Sequence, residues 1–315
     1  MPSSSSPTNV GLLFLAPLPS LVLVWLATRP DSDGFGDGFG MIATLRRWYI
    51  DHPYGFMHML FGINIDVGFW LVGLAQGTFW LIDPYWTLFP PLAALFFLTH
   101  PGASRSGPQI AATILTLIWS VRLTHSYFRR ERWAIGARED WRYADMARDH
   151  KGRWWLLSFF AVGVAQHFML VPLVYPIFSL GDAKEGGVAW QASDACSAAI
   201  ALAGITLACV ADNALHRYCT LAKGKKPKVL CTGVWGYSRH PNYVGEQVWW
   251  FALASFAACR GDLFALHGPI INSLVLVLVT RMTEERMMTT WSRDRRAAYQ
   301  AYRKRTSAWI PWPII

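Results

Sequence analysis

The residues best suited to chemistry in this sequence lie in one short stretch, 233–246, which reads Gly-Val-Trp-Gly-Tyr-Ser-Arg-His-Pro-Asn-Tyr-Val-Gly-Glu. Pro241 fits the first turn of a helix, which places Asn242 at the beginning of that helix. The free N–H groups and the positive dipole of a helix N-terminus attract anions, and Arg239 and His240 come directly before it. The stretch therefore predicts a binding site for an anionic ligand. The alternative is a capped helix with aromatic residues at a membrane interface.

The composition indicates that membrane helices must position these residues. Of the 315 residues, 53% are apolar and 16% are charged, whereas about 25% are charged in a soluble domain. This balance excludes a disordered chain, a collagen and an ordinary soluble domain. It predicts an all-α, polytopic membrane helical bundle of about seven to eight spans. The candidate spans are 10–28, 56–82, 85–100, 107–122, 154–180, 190–213, 242–259 and 263–281.

The basic residues are concentrated in three segments, 122–153, 217–239 and 281–315, which hold 23 of the 29 Lys and Arg residues. Two predicted spans separate each segment from the next, so all three lie on one side of the membrane. The positive-inside rule assigns that side to the cytoplasm. The basic segments are denser than orientation requires, and they predict a cytoplasm-facing pocket for a phosphorylated cofactor, because the Arg side chain matches phosphate oxygens. Anionic lipid headgroups are the alternative partner of these segments. Membrane orientation and anionic lipid headgroups account for the net charge of +9, and no nucleic acid partner is expected.

Several polar or proline residues inside the predicted spans suggest structural roles. His167 and Gln166 are expected to form hydrogen bonds between helices, and Asp194 is expected to cap the sixth helix. Pro90 and Pro91 make the third segment a candidate for half of a broken helix.

Neither a metal site nor a disulfide framework is predicted. The five cysteines show no C-x-x-C spacing, and no H-x-x-x-H pattern has carboxylates nearby. These cysteines are Cys196, Cys209, Cys219, Cys231 and Cys259.

Residues 238–246, which read S-R-H-P-N-Y-x-G-E, resemble a motif of the membrane steroid 5-alpha-reductase and sterol C14-reductase superfamily. Two further elements, D-P-Y-W at 83–86 and E-D-W-R-Y at 139–143, look more closely like its branch with the domain of unknown function 1295 (DUF1295). The C-terminal stretch 299–313 is similar to the signature of that branch. The resemblance extends over most of the chain, from about residue 60 to residue 313.

The resemblance implies an N-terminal span and loop at 1–55 and a steroid reductase-like (DUF1295) membrane domain at 56–315. It also implies an NADPH-dependent reductase, with its cofactor pocket at the cytoplasmic ends of the C-terminal helices. The cofactor-binding residues implied by the matching positions and the adjoining basic loops are Leu230, Trp235, Arg239, His240, Asn242, Tyr243, Tyr302, Arg217 and Arg142. For the acidic position of the tail, Glu284 and Glu285 are both candidates.

The implied reaction is hydride transfer from NADPH to a polarised carbon–carbon double bond, followed by protonation. A phenol or a protonated carboxyl group that binds the carbonyl oxygen of the acceptor would assist it. Asp83 and Tyr85, at the cytoplasmic end of the second and third spans, are the preferred polarising pair, and Glu246 is the third catalytic candidate. Asp66 and Gln76 are alternatives within the second span, and Asp83 could instead serve only as a turn residue.

The expected substrate is lipid-like: a steroid, an isoprenoid or an enoyl lipid that enters from the membrane. The resemblance implies the endoplasmic reticulum as the location. Two other functions stay open. Methyltransferases that use S-adenosylmethionine on isoprenylcysteine share R-H-P-x-Y-x-G and a similar tail, and a lipid-binding scaffold could have kept the fold without catalysis.

Overall fold

The computed structural model describes residues 6–29, 40–182 and 188–310, and the regular elements in these ranges are helices. By its internal contacts the chain forms two compact units, Met1–Ala189 and Trp190–Ile315. The first unit contains α1 (Pro7–Leu15), α2 (Leu18–Thr28), α3 (Gly40–Asp51), α4 (Pro53–Phe61), α5 (Trp70–Gln76), α6 (Ile82–Thr99), α7 (Gly107–Arg130), α8 (Trp141–Asp149), α9 (Trp154–Ser158) and α10 (Ala165–Gly181). The second contains α11 (Ala192–Thr220), α12 (Pro241–Ala258), α13 (His267–Thr290) and α14 (Arg293–Arg305), with short 3-10 turns at Lys223–Lys225, Gly233–Gly236 and Leu263–Leu266.

The predicted all-α membrane bundle is confirmed. Within the described ranges, five helical stretches are long and apolar enough to cross a membrane: Pro7–Thr28, Pro53–Gln76, Trp154–Gly181, Ala192–Thr220 and Leu263–Thr290. The other three predicted spans coincide with the helices α6, α7 and α12, which are not among these five. The count of seven to eight spans therefore stays a prediction.

The prolines of α6 do not interrupt this helix, and its interpretation as half of a broken helix rather than a full span stays a prediction. The helix runs without interruption through Pro90 and Pro91. The ring nitrogen of Pro91 cannot donate to the carbonyl of Thr87, four residues earlier. The hydroxyl of Ser120, on α7, donates to that carbonyl instead, at 2.7 Å. A side chain of the neighbouring helix therefore replaces the missing backbone hydrogen bond.

Two π-helical turns lie within the long helices of the first unit, Gly62–Phe69 between α4 and α5, and Phe159–Val164 between α9 and α10. They pack closely against each other, because a Cβ atom added to Gly163 would lie 3.1 Å from the backbone of Asp66. A larger residue at position 163 would push the two turns apart.

The expected hydrogen bonds of α10 to other helices are confirmed. His167 Nδ1 is 2.6 Å from the Oδ2 atom of Asp66, and the Gln166 amide donates to the Tyr143 hydroxyl at 3.1 Å. These contacts tie α10 to the π-helical turn after α4 and to α8. Polar side chains inside a membrane bundle link helices in this way because no water is there to satisfy them.

In the second unit, α11 and α12 cross with their backbones in contact. A Cβ atom added to Gly204 would lie 2.6 Å from the backbone nitrogen of Trp249, and one added to Gly245 would lie 2.6 Å from that of Ala208. Glycine permits this approach because it has no side chain. The crossing fixes the position of the first turns of α12, where the motif residues lie.

The beginning of α11 is capped as the sequence predicts. The backbone nitrogen of Gln191 donates to Asp194 Oδ2 at 2.7 Å, as part of a capping box. The Arg260 guanidinium also donates to the two Asp194 carboxylate oxygens, at 2.5 and 2.6 Å. Asp194 therefore caps one helix and anchors the turn that follows α12.

Candidate functional site

The motif stretch 233–246 begins with a tight turn that is held against α11. Gly233 has a φ of +61°, in the left-handed region that favours glycine. The indole nitrogen of Trp235 donates to the carbonyl of Ala211 at 3.1 Å, and the Trp235 side chain is buried. The turn is therefore fixed both by its own backbone and by an aromatic anchor.

Tyr302 of α14 holds the same turn from the C-terminal part of the chain. Its hydroxyl proton is shared between the backbone carbonyls of Trp235 and Ser238, and the distance to the second is 3.2 Å. Desolvation by burial raises the pKa of the Tyr302 phenol, so the hydroxyl keeps its proton at neutral pH. Tyr302 therefore acts as a donor to the backbone of the motif.

The carboxylate of Glu284, on α13, binds the basic residues of the motif. Arg239 donates to its two oxygens from Nε at 2.8 Å and from Nη2 at 3.1 Å, and His240 Nε2 lies 3.1 Å from Oε1. Arg303 of α14 adds a contact of 3.4 Å. The side chains of Arg239 and Glu284 are 10% and 8% exposed, so this pair is removed from solvent. Glu285 is exposed, which leaves Glu284 as the acidic residue that contacts the motif.

The chain after α14 is bound to the motif through its backbone. Arg239 N donates to the carbonyl of Ser307 at 2.9 Å, and His240 N donates to the carbonyl of Ala308 at 3.1 Å. The Ser238 hydroxyl donates to the same Ala308 carbonyl at 2.9 Å. We call this segment, residues 306–310, the C-terminal tail.

Four of the predicted cofactor-binding residues thus have internal partners for their polar side-chain atoms. Trp235, Arg239, His240 and Tyr302 hold the turn, Glu284 and the tail in a fixed arrangement. Their role in the structure is to build a rigid support for the first turn of α12. Direct contact of these four with a cofactor stays a prediction.

Asn242 differs from these four residues, because the oxygen of its side-chain amide has no hydrogen-bond partner in the described structure. The helix α12 begins at Pro241, as predicted, and Asn242 is its second residue. The Asn242 nitrogen donates to Asp212 Oδ1 of α11 at 3.3 Å. Its oxygen, Oδ1, is buried without a hydrogen-bond partner in the described structure. A buried carbonyl oxygen without a donor is costly and suits a ligand that brings an N–H or O–H group.

The remaining predicted residues of the second unit surround this helix end or lie on nearby segments. The ring of Tyr243 stacks on that of His240, with 5.3 Å between their centroids. Glu246 is half-buried one turn after Asn242. In the described structure, Leu230 is half-buried and Arg217 is exposed at the end of α11. The contact of Leu230 and Arg217 with a cofactor stays a prediction.

In the first unit, Asp83 lies in the first turn of α6, outside the five candidate spans. The pKa of its carboxyl group is raised to about 7, chiefly by burial; the nearby Asp140 and Glu131 add to this shift, and Arg130 and Arg142 oppose it. A carboxyl group with this pKa is protonated in part at neutral pH, so it can donate a hydrogen bond or a proton.

Tyr85, two residues later, is engaged within the first unit. Its hydroxyl donates to the backbone carbonyl of Leu13, in α1, at 2.7 Å, and the Tyr85 side chain is buried. This hydrogen bond ties α6 to α1. The predicted role of Tyr85 as a substrate donor therefore requires that a substrate replace Leu13 as its acceptor.

Arg142 is bound by a neighbouring acid of the first unit. Asp140 caps α8, and its two oxygens accept from the Arg142 side chain at 2.9 and 2.7 Å. Burial alone would raise the pKa of Asp140, but the Arg142 contacts outweigh burial and hold it below its ordinary value. Arg142 therefore forms a salt bridge within its own loop, and phosphate binding by Arg142 stays a prediction.

Sequence reasoning did not identify one cluster of the first unit. His58 Nδ1 lies 2.8 Å from His167 Nε2, and His167 in turn contacts Asp66. The sequence pointed to Asp66 and His167 separately, but not to His58. The available signal is the spacing of Tyr54, His58, Gly62 and Asp66, which recur every fourth residue on one helix.

Comparison with known proteins identifies the family. The family described as "Protein of unknown function (DUF1295)" matches residues 69–306. An uncharacterized protein of Schizosaccharomyces pombe is 25% identical over 291 residues, which cover 82% of this chain and 79% of the yeast protein. No solved structure matches the chain. The family match covers most of the chain, and the protein therefore belongs to the DUF1295 family, which is related to the steroid reductase superfamily.

Proposed function

We propose that this protein is a membrane-embedded, NADPH-dependent reductase of a carbon–carbon double bond in a steroid or other lipid. We further propose that its basic loops face the cytoplasm and that it resides in the endoplasmic reticulum. Membership of a family related to the steroid reductases supports the reaction class. The observation that carries the proposal is the buried, unpartnered Oδ1 atom of Asn242 at the start of α12.

The residues at this helix end fit the cofactor. Asn242 Oδ1 needs an N–H or O–H donor, and a dinucleotide offers amide, amino and hydroxyl groups. Pro241 has no N–H group, and the N–H groups of Tyr243 and Val244 donate to the His240 carbonyl, so it is the positive dipole of the helix end that would attract phosphate oxygens. We propose that Asn242 and Tyr243 hold the cofactor, with Leu230, Arg217 and Arg142 as further candidates. When bound, NADPH supplies a hydride.

The first contribution of the protein's own residues to the proposed reaction is a rigid support for the beginning of α12. Glu284 and the C-terminal tail immobilise Arg239 and His240, which precede the helix end. A rigid support preserves catalytic alignment, because small displacements of reacting groups lower rates steeply. The four residues that build the support therefore act as positioning residues in this proposal.

The polarising group is proposed to be Asp83. Its pKa of about 7 keeps a useful fraction of the carboxyl protonated at neutral pH, and a neutral carboxyl can donate a hydrogen bond to a carbonyl oxygen. Tyr85 and Glu246 stay the other catalytic candidates. The raised pKa favours an enzyme over a non-catalytic scaffold, because shifted carboxyl groups are concentrated at functional sites.

The test is ligand binding to detergent-purified full-length protein, with NADPH, NADH and S-adenosylmethionine titrated in parallel. We expect NADPH to bind and Asn242→Ala to abolish that binding without a change in fold. The control is Thr220→Ala, because the Thr220 hydroxyl is exposed and bonds only to carbonyls of its own helix. Binding of S-adenosylmethionine alone would indicate a methyltransferase, and binding of none of the three would indicate a scaffold.

A further inference from the structure

Three titratable side chains form a hydrogen-bonded row inside the first unit. His58 Nδ1 is 2.8 Å from His167 Nε2, and His167 Nδ1 is 2.6 Å from Asp66 Oδ2. The helical stretches that carry them, Pro53–Gln76 and Trp154–Gly181, are both candidate membrane spans. Ionisable groups are costly to place at membrane depth, and they usually mark a functional site there.

The atoms of this row are arranged so that a proton can pass along it. When Asp66 is ionised, His167 donates to it from Nδ1 and accepts from His58 Nδ1–H at Nε2. A proton that binds His58 Nε2 allows the Nδ1 proton of His58 to move to His167. The Nδ1 proton of His167 then moves to Asp66. Each ring gains one proton and loses one, so the remaining proton of each ring now lies on its other nitrogen, and Asp66 becomes a neutral acid. After Asp66 gives up its proton, both rings must return to their first tautomer before the row can carry the next proton.

One end of the row lies near a cavity that has titratable groups in its lining. The ring of Tyr54 packs edge-on against that of His58, with 4.7 Å between centroids. Tyr54 also lines a cavity of about 570 Å³, together with Asp51 and His52, which are exposed. This cavity lies at the beginning of α4, where titratable groups in contact with water can exchange protons.

The other end of the row is a buried carboxyl group with an unpartnered oxygen. Asp66 Oδ1 is buried and has no hydrogen-bond partner in the described structure, and the same holds for Asn64 Oδ1. Asp66 lies in the π-helical turn Gly62–Phe69, which packs against the second π-helical turn. Such turns occur frequently at functional sites. Gly62 lies beside this contact, and a Cβ atom added there would be in ordinary van der Waals contact with Asp66 Oδ2, at 3.8 Å.

We propose that His58, His167 and Asp66 form a proton relay, which carries protons from the cavity at the beginning of α4 to Asp66. We assign to Asp66 the protonation of the lipid substrate, so this inference rests on the proposed reductase function. The hydride adds to one carbon of the double bond, and the electron pair left on the adjacent carbon takes the proton of Asp66. Water at the cavity then restores that proton through His58 and His167. Asp83 retains the separate task of polarising the acceptor.

One test does not depend on any substrate. We would record ¹⁵N spectra of histidine-labelled full-length protein in lipid nanodiscs, with His58 and His167 assigned from H58Q and H167Q. Asp66→Asn should shift the signals of both rings, although only His167 contacts Asp66, because the row couples them. In the H167Q protein, Asp66→Asn should leave His58 unchanged. The exposed His150→Gln serves as the control. An unchanged His58 signal in Asp66→Asn would overturn the relay.

A second test measures proton delivery during turnover. The assay follows the oxidation of NADPH, with progesterone supplied as the lipid enone substrate. Asp66→Asn and His167→Gln should lower kcat roughly 100-fold, leave NADPH affinity unchanged and enlarge the rate difference between H₂O and D₂O. Added imidazole should restore activity to His58→Ala, which a purely structural role does not predict. Wild-type kcat in the Asp66 and His167 variants would overturn the relay.

The two tests separate the two proposals. If the wild-type protein binds no NADPH and oxidises none, the proposed reductase function fails and the assignment of Asp66 as its acid fails with it. Coupled histidine signals in that protein would still support the proton-carrying row. If the wild-type protein turns over and the signals are uncoupled, the relay fails and the reductase stands.

Discussion

The Arg239 guanidinium binds both carboxylate oxygens of Glu284, although the two residues are 45 positions apart in the sequence. Their side chains are almost fully buried, and each is the partner that neutralises the other. A buried charge that loses its partner is strongly destabilising. The ion pair of Arg239 and Glu284 therefore links α13 to the residues that precede α12.

Glu284→Gln should lower the thermal stability of the protein, by about 3 kcal/mol, because Arg239 is left buried without a counter-charge. The measurement is thermal unfolding of the detergent-purified protein. Glu285→Gln is the matched control, since Glu285 is the next residue and is exposed. Loss of NADPH binding by Glu284→Gln at an unchanged unfolding temperature would instead identify Glu284 as a ligand contact.

Tyr85→Phe should slow turnover of a lipid enone and leave NADPH affinity unchanged. It should also lower stability by about 1 kcal/mol, because the Leu13 carbonyl loses its donor. Steady-state kinetics and thermal unfolding measure the two effects, and Tyr237→Phe, at an exposed ring, is the control. Wild-type turnover in Tyr85→Phe would remove Tyr85 from the mechanism and leave it a structural role.

Gly245→Ala should disrupt the crossing of α11 and α12, because its Cβ atom would lie 2.6 Å from the backbone nitrogen of Ala208. We expect a loss of about 2 kcal/mol and a smaller yield of monodisperse protein after extraction. Gly236→Ala is the control, since its Cβ atom would approach only the Cys231 carbonyl, at 3.5 Å. Equal stability of the two variants would contradict the close crossing.

Stability should fall with rising pH on account of Asp83. Its pKa is about 7 in the folded protein and near 3.8 in the unfolded chain, so between these values only the unfolded chain releases the proton. The loss of folding stability that Asp83 causes therefore grows from about pH 4 to pH 7 and then levels off. Asp83→Asn cannot ionise, so it should gain on the order of 4 kcal/mol relative to wild type between pH 4 and pH 8. Unfolding temperatures of the wild type and Asp83→Asn, measured across this pH range, test the prediction. The control is Asp149→Asn, because Asp149 is exposed.

The helical architecture could be predicted because long apolar runs must satisfy their backbone groups internally when they cross a membrane. The residues at which the helices begin and end were less predictable. The second predicted span continues to residue 82, whereas α5 ends at Gln76, before Gly77 with a φ of +69°. Hydropathy does not register that turn. Nor does it show that Ser120 supplies the donor that Pro91 lacks.

Local features of the site followed from the sequence, and distant pairings did not. Pro241 at the start of α12 and Asp194 as a cap depend on neighbouring residues and were predictable. The choice between Glu284 and Glu285 depends on which one the fold turns toward Arg239, and adjacent residues differ in this by about 100° around a helix. The sequence reveals no partner for His58, because His167 is 109 residues away.

The backbone contact at Gly204 and Gly245 has a consequence for how a ligand reaches Asn242. Two helices that touch through their main chains cannot slide or separate without breaking the contact. We therefore expect α11 and α12 to move as one rigid body. The tail is held to the residues before α12 by several hydrogen bonds, which Ser238, Arg239 and His240 donate to its backbone carbonyls. A ligand should therefore reach Asn242 without any separation of α11 from α12.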